Sequence, residues 1–361
     1  MPPIRVLVVD DSVVVRKLLS ETLASTPGIQ LAGTASSGAL ALAKIPQLNP
    51  DVITLDIEMP GLNGIETLKE IRKLYPKLPV IMFSTLTEHG AAITLEALSV
   101  GASDYLAKPT NSPNLACAME QVRSELSTKI FALCGRDRQV LTGSRKIAST
   151  TRPPGRNRVE ILAIGTSTGG PNALADVIPR LPEHFPVPVV VVQHMPPLFT
   201  RMLAARLNTQ SQIRVCEADQ GRALEPGQVW IAPGDYHLTV ARKGQGTILE
   251  LNQDPPENSC RPAVDVLFRS VARTYGANVL AVVMTGMGSD GARGAGHIRE
   301  AGGEVFVQDE ASSVVWGMPG AVVHSGCANK ICPLREISEE IVRRVQVGRV
   351  QSVTGVTANP V

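Results

Sequence analysis

The residues with the clearest chemical potential lie in the second half of the 361-residue chain. A short apolar run at 161–164 leads into Gly165-Thr-Ser-Thr-Gly169, then into Gly170-Pro171 and a stretch with apolar residues at helical spacing. This order predicts a strand, a tight glycine turn and a helix, with Ser167 at the apex. Such a turn exposes a hydroxyl and surrounds it with backbone amides that can stabilise an oxyanion. Glycine-rich turns with an idle serine are common, so the turn alone does not establish a nucleophile.

Two further polar residues follow apolar runs in the same region. The run 187–192 is followed by Gln193-His194, and the run 278–284 is followed by Thr285-Gly-Met-Gly-Ser-Asp290. Because the carboxyl ends of parallel strands share one edge of a sheet, we expect Ser167, His194 and Asp290 to converge there. A serine nucleophile needs a histidine base, and that base needs an orienting acid. The sequence therefore predicts a hydrolytic triad; the alternative for His194 is a core histidine without a catalytic role.

The chain order of these three residues restricts the fold. The order is serine, histidine, aspartate, whereas α/β-hydrolases have the acid before the histidine, so the glycine turn does not imply that fold. A nucleotide-binding loop is also not indicated, because the turn lacks the G-x-x-x-x-G-K-[ST] pattern and no lysine stands near it.

A second group of polar residues lies in the first third of the chain, where each follows an apolar run. Asp10 and Asp11 close the first run, Asp56 the third, Ser84 the fourth and Lys108 the fifth. Three carboxylates at one sheet edge repel one another unless a hard cation such as Mg²⁺ joins them. Lys108 can neutralise phosphoryl oxygens and Ser84 can donate to one, so the cluster predicts an aspartate that accepts a phosphoryl group. The alternative is a charged rim without chemistry.

The elements that position this cluster alternate between strand and helix five times. We predict five strands, at Ile4–Val9, Ile29–Ala35, Val52–Leu55, Val80–Phe83 and Asp104–Ala107. Helical patterns lie between them, for instance Val15, Leu18, Leu19 and Leu23 on one face. This alternation predicts an α/β domain over residues 1–128, with a parallel sheet covered on both faces.

Residues 129–158 separate the two halves, and the stretches 136–138, 143–146 and 148–158 within them are basic, polar and poor in aliphatic side chains. Such a composition cannot pack a core and predicts a flexible linker, although its charge could also contact nucleic acid or a membrane. Residues 159–347 are expected to form a second α/β domain with a mainly parallel sheet, and residues 348–361 a tail. Within that domain, short strands between 214 and 251 are expected to form a smaller antiparallel piece.

Composition excludes several classes of protein. Hydrophobic residues make up 43% of the chain and the net charge is +2, which is too balanced to predict nucleic-acid binding. The six cysteines show no zinc spacing. The N-terminus lacks a signal-peptide pattern, and no apolar run approaches the roughly 20 residues that cross a bilayer. We therefore expect a cytoplasmic protein without direct membrane insertion.

The first domain resembles a response-regulator receiver domain. The resemblance rests on Val-Asp10-Asp11-Ser, Leu-Asp56-Ile-Glu-Met-Pro-Gly-Leu-Asn-Gly64, Ser84 and Gly-Ala-Ser-Asp-Tyr-Leu-Ala-Lys108-Pro. It implies a flavodoxin-like doubly wound fold, phosphorylation of Asp56 by a histidine kinase, and Mg²⁺ held by Asp10, Asp11 and Asp56. It also implies that Tyr105 acts as a switch aromatic together with Ser84 and Lys108.

The second domain resembles the chemotaxis protein-glutamate methylesterases of the CheB family. The motifs are Gly-Thr-Ser-Thr-Gly-Gly170, Gln-His-Met-Pro196, Ala-Pro-Gly-Asp-Tyr-His-Leu238, Arg-Pro-Ala-Val-Asp-Val-Leu-Phe268, Met-Thr-Gly-Met-Gly-Ser-Asp-Gly291 and Gln308-Asp-Glu-Ala-Ser-Ser-Val-Val-Trp-Gly-Met-Pro-Gly320. One departure is Thr166, where the family usually has a small alanine.

This second resemblance implies an activity and roles for the residues. The activity is hydrolysis of glutamyl methyl esters on cytoplasmic helices of chemoreceptors, with deamidation of receptor glutamines at the same positions. Ser167 is implied as nucleophile, His194 as general base and acid, and Asp290 as the acid that orients His194. Thr168 and Met287 line the oxyanion site, and this domain needs no metal or other cofactor. The phosphodonor would be a chemotaxis histidine kinase.

Two other functions remain as alternatives. A response regulator whose second domain binds DNA would need a recognition helix and a basic face, and the second domain offers neither. A catalytically inactive scaffold would lack a member of the triad, and all three residues are present. The order of the domains, together with the two resemblances, further implies that the unphosphorylated receiver covers the serine edge and that phosphorylation releases it.

Overall fold

The computed structural model describes residues 2–85, 87–108, 115–135 and 157–349. Most of the predicted linker, residues 136–156, and the tail after residue 349 lie outside the described residues. None of the helices in these ranges combines the length and hydropathy that a membrane-spanning helix requires.

The N-terminal domain is a five-stranded parallel sheet between two layers of helices. Its strands are Ile4–Val9 (β1), Ile29–Ala35 (β2), Val52–Asp56 (β3), Val80–Ser84 (β4) and Asp104–Ala107 (β5). Its helices are Val13–Ala24 (α1), Gly38–Leu48 (α2), Gly64–Leu74 (α3), Glu88–Val100 (α4) and Leu115–Leu133 (α5). The strand order β2-β1-β3-β4-β5 reverses beside β1, which is typical of doubly wound sheets.

All five predicted strands of this domain are confirmed, and β3 and β4 each run one residue further than predicted. Those added residues are Asp56 and Ser84, so both side chains stand at the carboxyl edge of the sheet. Asp10 follows β1 and Lys108 follows β5, and the Lys108 amide donates to the Ser84 carbonyl at 2.6 Å. The sheet therefore brings these polar residues to one edge, as parallel strands require.

Helix α5 continues beyond residue 128, where the sequence predicts the domain to end. Ile130 is fully buried in the core, and Lys129 pairs with Asp104 at 2.9 Å. These contacts tie the last turn of the helix to the sheet, so the first residues of the predicted linker pack as part of the N-terminal domain.

The C-terminal domain is built on a seven-stranded sheet in which every pair of neighbours is parallel. Its strands in chain order are Ile161–Thr166 (β6), Val189–Gln193 (β7), Arg214–Glu217 (β8), Gln228–Ile231 (β9), Val279–Val283 (β12), Glu304–Gln308 (β13) and Lys330–Cys332 (β14), with a separate hairpin of His237–Lys243 (β10) and Gly246–Asn252 (β11). The helices are Gly170–Val177 (α6), Pro197–Gln210 (α7), Val264–Tyr275 (α8), Ala292–Glu300 (α9), Gly317–His324 (α10) and Leu334–Gln346 (α11).

The predicted antiparallel piece between 214 and 251 is right for the hairpin and wrong for the first two strands. Strands β10 and β11 pair antiparallel, but β8 and β9 join the main sheet in parallel register. Helix α7 connects β7 to β8 and packs against it, which is the crossover that a parallel connection requires. The order of the sheet is β14-β13-β12-β6-β7-β9-β8, so β12, β6 and β7 lie side by side near its centre.

The two domains share one apolar cluster. It contains Leu95, Leu98 and Tyr105 from the N-terminal domain and Phe199 and Leu203 from the C-terminal domain. Helix α4 packs against α6 and α7 across this boundary. The carboxyl edge of the C-terminal sheet, where Ser167 lies, is thus next to the face of the N-terminal domain formed by α4 and β5.

Candidate active site

Ser167 directly follows β6, and its backbone is fixed on both sides of the turn. Its amide donates to the Thr285 carbonyl at 3.0 Å, and its carbonyl accepts from the Gly170 amide at 2.7 Å. Gly169 has φ 76°, and a Cβ on that residue would lie 2.7 Å from Val314. The turn therefore needs glycine at this position for its backbone conformation and for space.

The neighbouring loop after β12 also approaches Ser167 closely. A Cβ on Gly286 would lie 2.9 Å from the Cβ of Ser167 and 2.4 Å from the sulfur of Met318. A larger residue at 286 would push on the serine side chain itself. The glycine keeps this loop, which carries Met287 and leads to Asp290, against the serine turn.

Thr166, the departure from the family pattern, has a defined role in holding the turn. The side chain is fully buried, and its hydroxyl donates to Gln193 Oε1 at 2.7 Å. The amide nitrogen of Gln193 then donates to the Ser167 carbonyl at 3.0 Å. The threonine hydroxyl thus fixes the glutamine that holds the serine backbone, an arrangement that alanine cannot provide.

Asp290 receives hydrogen bonds on both of its carboxylate oxygens and is 2% exposed. Oδ2 accepts from His194 Nε2 at 2.8 Å and from an amide of α8 at 2.6 Å. Oδ1 accepts from Asn258 Nδ2 at 2.8 Å and from the amides of Asp265 and Gly291, each at 2.9 Å. Burial alone would raise the pKa of Asp290, but the bond to His194 and these donors lower it below the ordinary value.

His194 follows β7 and bonds to Asp290 through one ring nitrogen. The other nitrogen, Nδ1, lies 3.5 Å from the thiol sulfur of Cys260. Burial disfavours the charged ring, but the bonds to Asp290 and Cys260 outweigh it and raise the pKa of His194 to about 10. Among the hydrogen bonds of the described residues, none joins Ser167 to His194. The structure therefore brings His194 and Asp290 into contact and leaves the serine hydroxyl unengaged with its expected base.

The amides of Thr168 and Met287 flank the serine from two loops. Thr168 follows Ser167, and Met287 follows Gly286, whose close approach to Ser167 sets the two loops side by side. Within the described part of the chain, neither amide donates a backbone or side-chain hydrogen bond. Two unengaged amides beside a serine are the arrangement that an oxyanion requires.

The predicted phosphoacceptor cluster is assembled at the edge of the N-terminal sheet. Asp10, Asp11 and Asp56 place one carboxylate oxygen each within 4.8 Å of one another. Lys108 lies 2.7 Å from Asp56 and 3.6 Å from Asp10. Burial, with the nearby charge of Asp10, raises the pKa of Asp56 to about 6 against the effect of Lys108.

Some carboxylate oxygens of this cluster lack hydrogen bonds. Oδ2 of Asp10 and Oδ2 of Asp56 are buried and accept no hydrogen bond. Unpartnered buried carboxylate oxygens are costly, and oxygen ligands of this kind match the preference of Mg²⁺. The donor set of the three aspartates therefore fits a divalent cation.

Ser84 and Tyr105, the remaining predicted receiver residues, bond to or pack on groups other than the carboxylates. The Ser84 hydroxyl donates to the Gly90 carbonyl at 3.2 Å and accepts from Thr94 at 2.8 Å. Tyr105 is 8% exposed and stacks on Phe199 of α7, with the ring centroids 4.7 Å apart and the planes at 9°. Tyr105 is thus part of the contact between the domains.

One contact between the domains reaches the serine turn itself. The hydroxyl of Thr168, the residue after Ser167, donates to Asp104 Oδ2 at 2.8 Å. The same oxygen accepts from Lys129 at 2.9 Å, and Asp104 directly precedes Tyr105. Three peripheral contacts between the domains support this one. Asn172 donates to the Leu98 carbonyl at 2.7 Å, Arg206 donates to the Leu95 carbonyl, and Arg201 forms an ion pair with Glu88.

The sequence prediction missed several residues of the site. Phe199, Asn258 and Cys260 contact predicted site residues but lie outside the motifs, and Asp104 lies inside the receiver motif without a predicted role. Gln193 had a local signal, because it is a polar residue that ends an apolar strand immediately before His194.

Comparison with known proteins identifies relatives over nearly the whole chain. Residues 162–341 match the CheB methylesterase family, and residues 6–120 match the response regulator receiver domain. A protein-glutamate methylesterase/protein-glutamine glutaminase from Trichodesmium erythraeum (strain IMS101) is 51% identical over 353 residues, which cover 96% of this chain and 100% of that protein. A protein of the same name from Nocardioides sp. (strain ATCC BAA-499 / JS614) is 52% identical over 96% of both chains.

A solved structure matches the second domain. The crystal structure of the Thermotoga maritima CheB methylesterase catalytic domain is 42% identical and superimposes with a TM-score of 0.51, covering 52% of this chain and 99% of that one. The match in fold agrees with the mainly parallel sheet described above. The chain therefore belongs to the CheB methylesterase family, and it joins a response regulator receiver domain to an ester-hydrolysing domain.

Proposed function

We propose that this chain removes methyl esters from glutamate side chains of chemoreceptors, and deamidates receptor glutamines, with Ser167, His194 and Asp290 as its triad. The observation that carries the proposal is the 2.8 Å bond from His194 to Asp290 at the sheet edge where Ser167 stands. The printed names of the relatives, protein-glutamate methylesterase/protein-glutamine glutaminase, support the reaction. A sheet edge with a serine, a histidine and a buried acid is the arrangement that acyl transfer needs.

In the proposed reaction, the Ser167 oxygen attacks the ester carbonyl while His194 accepts the hydroxyl proton. The negative charge that develops on the carbonyl oxygen is stabilised by the amides of Thr168 and Met287. The intermediate then collapses, and the leaving methoxide takes the proton from His194 and departs as methanol. A glutamine side chain follows the same course and releases ammonia.

The second half of the reaction uses the same groups. Water attacks the glutamyl ester of Ser167, and His194 accepts its proton and returns it to the serine oxygen. Asp290 holds the ring in one orientation and stabilises the imidazolium that forms twice in each cycle. With a pKa of about 10, His194 carries this proton at neutral pH in the resting arrangement. Turnover therefore requires the ring to lose its proton and contact Ser167.

We also propose that Asp56 is the phosphorylated residue and that Asp10, Asp11 and Asp56 hold Mg²⁺. The cation would neutralise charge among the carboxylates and the entering phosphoryl group. The Asp56 oxygen attacks the phosphorus of a phosphohistidine on a histidine kinase, the P–N bond breaks and the imidazole departs. The Lys108 ammonium, 2.7 Å from Asp56, then neutralises charge on the phosphoryl oxygens. Ser84 would leave the Gly90 carbonyl and donate to the phosphoryl group.

Control of the hydrolase is proposed to pass through β5. A Ser84 that turns to a phosphoryl group leaves its bonds to α4, the helix that packs on the C-terminal domain. The Tyr105–Phe199 stack and the Asp104–Thr168 bond are then loosened, and the serine edge opens to a receptor helix. The unphosphorylated form is the closed one in this proposal.

Methanol release from a methylated receptor fragment tests the proposed chemistry. The full chain with acetyl phosphate and Mg²⁺ should release methanol, and Ser167→Ala and His194→Ala should each lose about 10³-fold or more. Because the triad acts as a unit, the double variant should be little slower than either single one. A folded Ser167→Ala chain that retained more than about a tenth of the wild-type rate would contradict the assignment of the nucleophile.

A further inference from the structure

Asn258 contacts the proposed triad although the reaction gives it no role. Its Nδ2 lies 2.8 Å from Asp290 Oδ1, on the side of the carboxylate opposite His194. Within the described part of the chain, His194 and Asn258 are the two side chains that donate to Asp290, and its other donors are backbone amides. We propose that Asn258 is a positioning residue, which aligns Asp290 and through it the ring of His194. This inference rests on the proposed function.

The orientation of the Asn258 amide is determined by its neighbours. Its Oδ1 accepts from Arg293 Nη2 at 2.8 Å, so its NH₂ group must face the other way. There it lies 2.8 Å from Asp290 and 2.9 Å from Asp265 Oδ2. Each amide hydrogen therefore has one carboxylate acceptor, and a flipped amide would place an oxygen against both carboxylates.

Asp265 is a fixed partner at the other end of this bridge. It is 1% exposed, and its Oδ1 accepts from the Gly294 amide at 2.6 Å. Its Oδ2 also accepts from Arg293 Nε at 3.2 Å. Two buried carboxylates thus share one neutral donor group. Asparagine satisfies both without adding charge, whereas aspartate at 258 would add a third carboxylate to the pair.

The turn that carries Asn258 is rigid. The Glu257 amide donates to the Cys260 carbonyl at 3.1 Å, and the Cys260 amide donates back to the Glu257 carbonyl at 2.9 Å. Asn258 has φ 54°, a conformation that asparagine tolerates better than most residues. Arg269 holds the Glu257 carboxylate with two bonds, of 2.7 and 2.5 Å. The Asn258 side chain is therefore presented to Asp290 from a fixed backbone.

The same turn contacts the imidazole directly. Cys260 Sγ lies 3.5 Å from His194 Nδ1, on the far side of the ring from Asp290. The turn therefore contacts both His194 and Asp290. Among the described residues, the charged and titratable groups near His194 and Asp290 are Cys260, Asp265, Glu257, Arg269 and Arg293.

Loss of the Asn258 donor has a specific electrostatic consequence. Asp290 would keep its charge but lose one of the bonds that spread it, so its pull on the His194 proton would increase. The ring would also lose its fixed alignment with the serine. The first effect lowers the fraction of neutral His194 at a given pH, the second slows proton transfer from Ser167, and neither changes the affinity for substrate. They predict a lower kcat, an unchanged KM and an acid limb of the pH profile that moves to higher pH.

The test measures methanol release from a methylated receptor fragment by the full chain with acetyl phosphate and Mg²⁺, across pH. We expect Asn258→Ala to lower kcat about tenfold with KM unchanged, and to move the acid limb upward. Asn258→Asp should move it further in the same direction. Arg293→Met, an exposed position that tolerates change, should shift it the same way by less because the amide loses its orienting donor.

Asn329→Ala is the matched control. Its Oδ1 accepts from the Val305 amide at 2.8 Å at the far side of the sheet, so its loss should lower the thermal midpoint and leave the pH profile unchanged. Wild-type pH profiles and kcat in both Asn258 variants, with an active wild-type chain, would overturn this inference and leave the proposed function standing. If Asn258→Ala does not fold, an unchanged pH profile in Arg293→Met would overturn the inference instead. A wild-type chain that releases no methanol would overturn both.

Discussion

The two domains place buried aspartates at the same structural position, the carboxyl edge of a parallel sheet, and treat them in opposite ways. In the N-terminal domain, Asp10 and Asp56 each have a buried carboxylate oxygen without a hydrogen bond. In the C-terminal domain, Asp290 receives five hydrogen bonds. Burial raises the pKa of Asp56, while the donors lower that of Asp290 below its ordinary value.

With the roles proposed above, this difference distinguishes a carboxylate that reacts from one that positions. A carboxylate with unused oxygens can accept a cation and a phosphoryl group, because its lone pairs are not engaged by the protein. A fully bonded carboxylate is held in one place and keeps its charge, which is what an orienting acid needs. The hydrogen-bond pattern of a buried aspartate is therefore a guide to its role, and the two edges can be altered separately to test it.

The largest expected effect is at Asp290, the carboxylate with five hydrogen bonds. Asparagine at 290 presents one NH₂ group, and in either orientation that group faces at least one backbone amide that donates to Asp290 now. It also no longer stabilises the imidazolium, so we expect Asp290→Asn to lower turnover about 10²-fold or more. The thermal midpoint should fall as well, by the equivalent of about 1–3 kcal/mol.

The measurement for Asp290→Asn is methanol release beside thermal unfolding of the same preparation. Near-normal turnover with a lowered midpoint would mean that Asp290 only supports the fold, and that another group orients His194.

The next largest effect is the dependence on pH. The pKa of His194 is raised from 6.5 to about 10, so the ring carries its proton at neutral pH and cannot accept one from Ser167. The active, neutral form increases as pH rises, so kcat/KM of the unphosphorylated full chain should rise about tenfold per pH unit above neutrality. The rate of spontaneous ester hydrolysis is measured in the presence of the Ser167→Ala chain and is subtracted from the wild-type rate. A plateau that begins near the ordinary pKa of 6.5 would contradict this prediction.

A smaller effect is expected at the contact between the two edges. Thr168→Val keeps the backbone amide and the side-chain shape but removes the hydroxyl that donates to Asp104. The loss of this bond should destabilise the closed form by about 1 kcal/mol. Methanol release by the unphosphorylated chain should therefore rise about fivefold, while the rate with acetyl phosphate stays unchanged. Thr168→Ser retains the donor and is the control. A lower rate in both states would show instead that the hydroxyl serves the reaction.

The smallest effect is expected at Asp10, in the carboxylate cluster of the N-terminal domain. Asp10→Asn removes a buried charge whose Oδ2 accepts no hydrogen bond; it gives up the 3.6 Å ion pair of Asp10 with Lys108 and leaves Lys108 paired with Asp56 at 2.7 Å. In metal-free buffer it should stabilise the chain by about 1 kcal/mol, which raises the midpoint by about 2–4 °C. Destabilisation by Asp10→Asn, measured by the same unfolding assay as Asp290→Asn, would remove the distinction between the two edges.

Much of this arrangement is predictable from local sequence. The five strands of the N-terminal domain are apolar runs that end at a polar residue, and their positions are confirmed to within one residue. Ser167, His194 and Asp290 each follow such a run, and neighbouring parallel strands bring them to one edge. Strands β8 and β9 lie where the sequence predicts strands, but their predicted antiparallel pairing is wrong, because alternation over four residues does not reveal the partner strand.

The remainder depends on contacts between distant residues. The Asp104–Thr168 bond joins residues 64 positions apart, and the Asn258–Asp290 bond joins residues 32 apart. Neither asparagine nor threonine carries a sequence signal that specifies such a partner. The extension of α5 past residue 128 likewise depends on tertiary contacts, because Lys129 pairs with Asp104 and Ile130 is buried in the core.

The most direct test of the central claim is the rate of methanol release by one full-length preparation before and after acetyl phosphate and Mg²⁺ are added. If phosphorylation of Asp56 controls hydrolysis at Ser167, the wild-type rate should rise about tenfold or more. Asp56→Asn should show no rise while keeping the basal rate. A fragment that begins at Val159 should be fast without a phosphodonor. An equal rise in Asp56→Asn, or a fragment slower than the unphosphorylated full chain, would contradict the claim.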